Sequence, residues 1–267
     1  MFSSTCRSRL LTSVALAVLA LSAAGCASNR EDVTGSIQAS AQKSEADWRR
    51  DVEIWGARYR KNTSDPDAAI HYAQALRATG QRAQAVAVLE QAAIVNPKHT
   101  GVLGAYGRAL ADVGRYPQAL DVFKSAHTPD QPDWRILSAQ GAVLDQMGRH
   151  EEAQRYYASA LRIVPDEPSI LSNLGLSYAL AKNLPKAEET LRRASMSRGA
   201  EPKVRQNLAL VVGLQGRFPE AEDIARGDLS EEEALANVAY LRQMLVQKND
   251  WKKLSSAQGP LKQAGRI

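Results

Sequence analysis

Few residues in this chain combine the type and the spacing that chemistry requires. The four histidines stand without a carboxylate or a second histidine at metal-ligand spacing; they are His71, His99, His127 and His150. We expect them on the surface. Ser40 and Lys43 match a Ser-x-x-Lys nucleophile pattern, but they lie in a polar segment that no fold would hold in place. The sequence indicates neither a catalytic site nor a cofactor, and it favours a protein that binds rather than catalyses.

Cys26 is the residue for which the sequence predicts covalent chemistry. Arg7 and Arg9 precede an apolar run at residues 10–21, and small residues lead from there to the cysteine. This order is typical of an export signal: a basic segment, about a dozen apolar residues and a cleavage site preceded by small residues. The apolar run is too short to span a membrane. The Gly-Cys ending resembles the lipobox of bacterial lipoproteins, although Ala23 stands where that family usually has Leu. The resemblance implies acylation at Cys26, and an ordinary cleaved signal is the alternative.

A period of 34 residues runs through the middle of the chain. A glycine, or in one unit a lysine, recurs at this spacing, and the positions are Gly80, Gly114, Gly148, Lys182 and Gly216. Small and large apolar residues recur around them in the pattern of two amphipathic helices joined by a tight turn. The unit resembles the tetratricopeptide repeat, which buries its apolar face by stacking on its neighbours. A bulky residue at Gly148 or Ala153 should therefore loosen the helix packing.

The predicted fold is an all-α solenoid of about five helix-turn-helix repeats with a capping helix at each end. The repeats are expected to start at Pro66, Thr100, Trp134, Pro168 and Pro202. The predicted segments are a lipoprotein signal peptide at 1–25, a flexible tether at 26–44, an N-terminal helix at 45–65, the repeats at 66–229, a C-terminal capping helix at 230–248 and a tail at 249–267.

The two flanking helices are expected to cover the ends of the solenoid. Helical spacing of N-terminal apolar residues favours packing on the first repeat over a partner-binding stripe; these residues are Trp48, Ile54, Trp55 and Tyr59. At the other end, Ser230 and Glu233 form a capping box ahead of one apolar helical face. That face is made of Leu235, Val238, Leu241 and Leu245.

The first helices of such repeats line a concave groove that usually binds other proteins. The groove residues expected from the register are Gln74, Arg77, Arg108, Asp112, Asp145 and Gln146, followed by Leu176, Leu180, Leu210 and Leu214. Arg77 and Arg108 could hold an extended peptide through charge-assisted hydrogen bonds. Asn173 and Asn207 would be available to its backbone. The alternative is a solvated charged face, with the capping helix covering the leucines.

Charge and glycine spacing argue against other kinds of site. The net charge of +5 is mild and spread along the predicted helices, so nucleic acid is not an expected partner. Gly101, Gly104 and Gly107 are three residues apart on one helical face, which is not the dinucleotide-binding spacing. Close helix packing, or an open place in the groove, explains them more simply.

Three stretches carry a more specific resemblance. They are residues 173–180 (NLGLSYAL), 204–218 (VRQNLALVVGLQGRF) and 236–245 (ANVAYLRQML) leading to Trp251. Together with the repeats and the lipobox, they resemble TadD, the tetratricopeptide-repeat lipoproteins of bacterial tight-adherence (Flp) pilus systems. The resemblance implies a lipid-anchored, periplasm-facing protein of the outer membrane that helps to assemble the pilus.

The same resemblance implies the partners. They would be the pilus secretin, on which the protein would act like a pilotin, or other subunits of that machinery. Two other functions remain open from the residues alone. The protein could be an adaptor lipoprotein that presents a cell-wall hydrolase or a protease to its substrates, or, as the weakest alternative, an enzyme.

Overall fold

The computed structural model describes residues 43–128 and 130–257, with backbone alone from residue 248, and this part of the chain forms twelve α-helices. The segment predicted as a signal peptide, Cys26, most of the predicted tether and the end of the predicted tail lie outside the described residues. The helices are α1 Glu45–Lys61, α2 Pro66–Ala78, α3 Arg82–Val95, α4 Thr100–Asp112, α5 Tyr116–Ser125, α6 Trp134–Gln146, α7 His150–Ile163, α8 Pro168–Leu180, α9 Leu184–Met196, α10 Pro202–Leu214, α11 Phe218–Ala225 and α12 Glu231–Ala257.

The helix pairs α2–α3 to α10–α11 are the five repeats. Each first helix begins at the residue that the register predicts, and proline at the first position of α2, α8 and α10 suits a helix start. The turn inside each pair passes through a left-handed residue, where glycine is favoured. Gly148 has φ +74°, and Lys182 adopts the same conformation at φ 64° without being a glycine.

Small residues on the first helices allow the two helices of a repeat to pack closely. A Cβ added at Gly107 would lie 2.4 Å from Phe123, and one at Gly141 would lie 2.7 Å from Tyr157. A Cβ at Gly104 would lie 2.7 Å from Ile136, on the next repeat. Gly104 and Gly107 therefore serve close packing, whereas Gly101 is exposed. The aromatic rings that cover Gly107 and Gly141 are fully buried.

The repeats are arranged so that the first helices form one continuous row. Each first helix of α2, α4, α6, α8 and α10 contacts the next, whereas the second helices of the described residues contact only first helices or α12. Close spacing on one side and wide spacing on the other place the first helices on the inner, concave side. Helix α12 contacts both α10 and α11 and so continues the inner row.

The junction between the second and third repeats differs from the others. Helix α5 spans 10 residues, whereas α3 and α7 span 14 each. A connection over 126–133 follows α5 before α6 begins. The contact of α4 with α6 is the least extensive between neighbouring first helices. The inner row is therefore most open between these two helices.

Helix α1 covers the first repeat. Trp55 stacks on His71 with ring centroids 4.4 Å apart, and the rings of Tyr59 and Tyr72 are 5.9 Å apart. Packing on the repeat is thus confirmed for Trp55 and Tyr59. It is wrong for Ile54, which is 55% exposed. The helix ends at Lys61, before the predicted boundary at 65, because the cap Asn62 turns to an extended backbone.

Helix α12 caps the other end, and its capping box is confirmed. The amide of Ser230 donates to Glu233 at 3.0 Å, and the amide of Glu233 donates back to the Ser230 hydroxyl at 3.3 Å. Ala234 and Val238 are buried, but Leu235 is exposed, which corrects the predicted apolar face. The predicted tail boundary at 248 is also corrected, because the helix continues to Ala257. None of the described helices has the length and apolarity needed to cross a membrane.

Candidate functional site

The row of first helices carries two adjoining hollows that share Arg77 and Arg108. The first hollow, about 190 Å³, lies between α2 and α4 and is lined by Ile70, Ala73, Gln74, Arg77, Leu89, Ala105 and Arg108. The second hollow, about 440 Å³, lies between α4 and α6 and is lined by Arg77, Arg108, Ala111, Asp112, Tyr116, Phe123, Ala139, Ala142, Val143 and Gln146. Five of the predicted groove residues therefore line one continuous surface, which we call the polar groove.

Arg77 and Asp112 form an ion pair across the polar groove, through Nε of the arginine and Oδ2 of the aspartate. The two side chains are about equally exposed, at 29% and 30%. The pair joins the last turns of α2 and α4, one repeat apart. Such half-exposed pairs contribute little to stability. This pair nevertheless fixes the orientation of Arg77, and Asp112 balances its positive charge.

Arg108 is the guanidinium of the polar groove that no carboxylate holds. Within the described residues no aspartate or glutamate lies at ion-pair distance from it. Its terminal nitrogens lie beside Gly104, one turn back on α4. Burial, and next the nearby charge of Arg77, lower the pKa of Arg108 below its usual range. The groove thus contains a partly desolvated positive charge without a matching negative one.

Asp145 does not face the groove, which corrects its predicted role. Its side chain is 8% exposed. His150 Nδ1 lies 2.8 Å from Oδ1, Tyr157 donates its hydroxyl to Oδ2 at 3.1 Å, and Ser177 donates to Oδ1 at 2.8 Å. Burial, together with the Asp145 carboxylate, raises the pKa of Tyr157 far above its usual range. The carboxylate is an internal tie between α6, α7 and α8.

The two asparagines expected to bind a peptide backbone lie further along the inner row, outside the polar groove. Asn207 donates from Nδ2 to the hydroxyl of Ser172 at 3.0 Å, so α10 is bonded to α8 through it. That contact uses the amide within the solenoid. Asn173 is half-buried on α8 and lines neither hollow.

A third hollow, about 260 Å³, lies between α10, α11 and α12 and is mostly apolar. It includes Leu210, which is 42% exposed, so α12 only partly covers the predicted leucine surface. Tyr240 and Met244 of α12 also line it. The 34-residue register does not include these two residues, although they lie four residues apart and so share one helical face.

The histidines have structural roles that the sequence did not predict. His99 caps α4 by accepting from the amide of Val102 at 3.2 Å. His71 stacks on Trp55, and His127 lies 3.3 Å from the amide oxygen of Gln140. His71 and His99 are exposed, as expected, whereas His127 and His150 are half-buried, which corrects the expectation for these two. The described residues contain no group of three His, Cys, Asp or Glu side chains placed to hold a metal ion.

Comparison with known families agrees with this architecture. Residues 50–126 match the family described as anaphase-promoting complex, cyclosome, subunit 3, and residues 138–201 match a tetratricopeptide-repeat family. This is a tetratricopeptide-repeat protein. Repeats of this kind mediate protein–protein interactions and generally act as scaffolds. No curated protein sequence gives a significant match.

Solved structures of other tetratricopeptide-repeat proteins are similar in fold. A thermophilic protein of Thermus thermophilus is 22% identical, with a TM-score of 0.57 over 67% of this chain and 99% of the other. PilW, described as a widely conserved type IV pilus biogenesis factor, is 17% identical, with a TM-score of 0.64 over 73% of this chain and 91% of its own. The hetero-tetramer of Cut9 and Hcn1 from the anaphase-promoting complex gives 14% identity and a TM-score of 0.61, over 76% of this chain and 40% of that one.

Proposed function

We propose that this tetratricopeptide-repeat protein is a lipid-anchored accessory factor for the assembly of a tight-adherence pilus, with the secretin or another exported subunit as its partner. The observation that carries the proposal is the polar groove, in which Arg108 has a charge that the described residues do not neutralise. A buried or half-buried charge of this kind favours a ligand that supplies the opposite charge. The groove therefore suits an external partner.

Two further observations support the choice of a pilus system. The stretches at 173–180, 204–218 and 236–245 resemble TadD lipoproteins. The fold is also similar to that of PilW, which is described as a type IV pilus biogenesis factor. In this proposal, acylation of Cys26 anchors the chain to the outer membrane, and residues 26–44 let the repeats reach a periplasmic partner.

The test is a pull-down of the tagged full-length protein from native membranes in mild detergent, with mass spectrometry of the proteins recovered. We expect the secretin or other pilus subunits with the native chain, and their loss with Cys26→Ala. Recovery of cell-wall hydrolases or a protease instead would contradict the pilus role and favour an adaptor.

A second arm examines the groove. Arg108→Glu should reduce partner recovery, whereas Arg82→Glu, an equal charge change on the exposed start of α3, should not. Arg108 is preferable to Arg77 for this purpose, because reversal at Arg77 would also break its pair with Asp112. Equal recovery with both variants would place the binding surface elsewhere on the molecule.

A further inference from the structure

The environment of Arg108 restricts what the polar groove can bind. Two acids lie near this arginine, and both have other partners. Asp112 is paired with Arg77. Asp133 caps α6 by accepting from the amide of Arg135 at 2.7 Å. Two carboxylates thus lie near Arg108, but each of them binds another group.

The surroundings of Arg108 disfavour its positive charge on balance, although Asp133 and Asp112 act in the opposite direction. Arg77 and Arg135 are the other cations that act on Arg108, and both lower its pKa after the larger effect of burial. Leaving an ionised group partly out of water without a partner costs free energy. A guanidinium offers two parallel N–H donors to a carboxylate, and that pairing is among the strongest polar contacts in proteins.

The shape of the groove indicates how the carboxylate would be presented. Arg108 belongs to both hollows, so open space continues on either side of it. A chain crossing this point would pass on in both directions. Gln74 lies in the first hollow and Gln146 in the second, and each amide can donate to and accept from a peptide backbone.

Many of the other lining residues are small and apolar. Ala73 and Ala105 line the first hollow, and Ala139, Ala142 and Val143 line the second. Such walls leave room for a main chain close to the helices, and they provide no further charge for a ligand. Because Asp112 already pairs with Arg77, Arg108 is the guanidinium that remains for a charged contact with a ligand.

We propose that the polar groove binds an extended peptide segment and that Arg108 binds the carboxylate of an internal aspartate or glutamate of that segment. This inference rests on the proposed function, in which this surface binds an exported protein, and it specifies the chemistry recognised there. It assigns the ligand an acidic side chain with chain continuing on both sides, rather than a chain terminus.

The test uses the immobilised full-length protein in detergent and three pools of short peptides with randomised neutral flanks. One pool has a central glutamate and an amidated C terminus. The second differs only by a central glutamine, and the third combines the central glutamine with a free C-terminal carboxylate. Mass spectrometry measures how much of each pool is retained. We expect about tenfold stronger retention of the glutamate pool than of the glutamine pool.

Variants connect that preference to one side chain. Arg108→Gln should abolish it, and Arg108→Lys should weaken it because an ammonium lacks the two-pronged geometry. Arg82→Gln is the matched control and should leave the preference unchanged. Circular dichroism melting shows that each variant is folded. An undiminished preference in folded Arg108→Gln would contradict the assignment.

The other outcomes separate this inference from the proposed function. Equal retention of the glutamate and glutamine pools overturns the inference and leaves peptide binding in the groove intact. Selective retention of the third pool overturns the internal position of the carboxylate. Retention of no pool also overturns the inference, while the membrane pull-down, which uses no peptide, still decides the pilus role independently.

Discussion

Ser177 of α8 donates a hydrogen bond to the buried carboxylate of Asp145 on α6, with 2.8 Å between Oγ and Oδ1. The same carboxylate contacts His150 and Tyr157 of α7. One acid therefore ties the third repeat to the first helix of the fourth. A carboxylate so far from water is stable because hydrogen-bonding groups surround it.

Replacing this acid should destabilise the protein strongly. Asp145→Ala leaves the hydroxyls of Tyr157 and Ser177 without their acceptor, so we expect a loss of about 3 kcal/mol in the free energy of unfolding. Ser177→Ala removes one donor and should cost about 1 kcal/mol. Urea unfolding followed by circular dichroism measures both. The control is Asp121→Ala, whose side chain is 72% exposed, and a loss as small as the control's for Asp145→Ala would refute the internal tie.

Two glycines should respond to alanine for different reasons. At Gly107 the new Cβ would lie 2.4 Å from the Phe123 ring, so the helices must shift and we expect a cost of about 1–3 kcal/mol that grows with side-chain size. At Gly148 nothing lies within 4 Å, and the cost is backbone strain of about 1 kcal/mol. At Gly148 the expected loss therefore comes from backbone strain and not from looser packing, whereas Ala153 is fully buried and its predicted packing effect stays a prediction. Thermal melts of alanine and leucine variants at both sites check this, because only Gly107 should show a size dependence.

Lys182 offers the reverse substitution. It adopts φ 64° at the turn of the fourth repeat, where the other repeats have glycine. Lys182→Gly should relieve left-handed strain and stabilise the protein by about 1 kcal/mol. Lys186→Gly, inside α9, is the contrasting control and should destabilise by a similar amount. A melting temperature that falls for Lys182→Gly would show that the lysine side chain contributes more than the strain costs.

The environment of Glu188 predicts how the stability of the protein changes at low pH. Its burial alone would raise its pKa, but hydrogen bonds from Arg217, Gln215 and Arg192 lower the pKa to about 2. A carboxyl group whose pKa is lower in the folded than in the unfolded protein stabilises the fold. This contribution is complete when the pH is above the unfolded-state pKa, and it is lost as the pH falls through the folded-state pKa. Between about pH 4.5 and pH 2, the native protein should therefore lose up to about 3 kcal/mol more than Glu188→Gln.

Urea unfolding across that pH range measures the difference. Glu189→Gln, at the exposed neighbouring position, serves as the matched control and should follow the native protein. Parallel curves for the native chain and Glu188→Gln would mean that the arginines do not hold this carboxylate in solution.

The repeat architecture could be predicted from the sequence because it depends on local spacing. The period of 34 residues identified the first residue of α2, α4, α6, α8 and α10, since turn and packing residues recur with it. The extension of α12 was predictable in part, because the helix-stopping Gly259 and Pro260 come only after Ala257.

The contacts of individual polar side chains could not be predicted in the same way. Asp145 occupies a register position that faces the groove in principle, but its partner Ser177 stands 32 residues further on. Asn207 likewise bonds to Ser172 of the preceding repeat, 35 residues earlier in the chain. The spacing of such hydrogen-bonded pairs does not follow the 34-residue period. A register therefore assigns Asp145 and Asn207 to the groove, although in the folded chain they bond to other residues of the solenoid.

The ten-residue α5 has a mechanical consequence. This helix lies beside the least extensive contact between neighbouring first helices, that of α4 with α6. Under a pulling force, we expect the solenoid to bend mainly between α4 and α6, while the repeats on either side keep their shape. A bound segment that contacts both α4 and α6 would resist this bending.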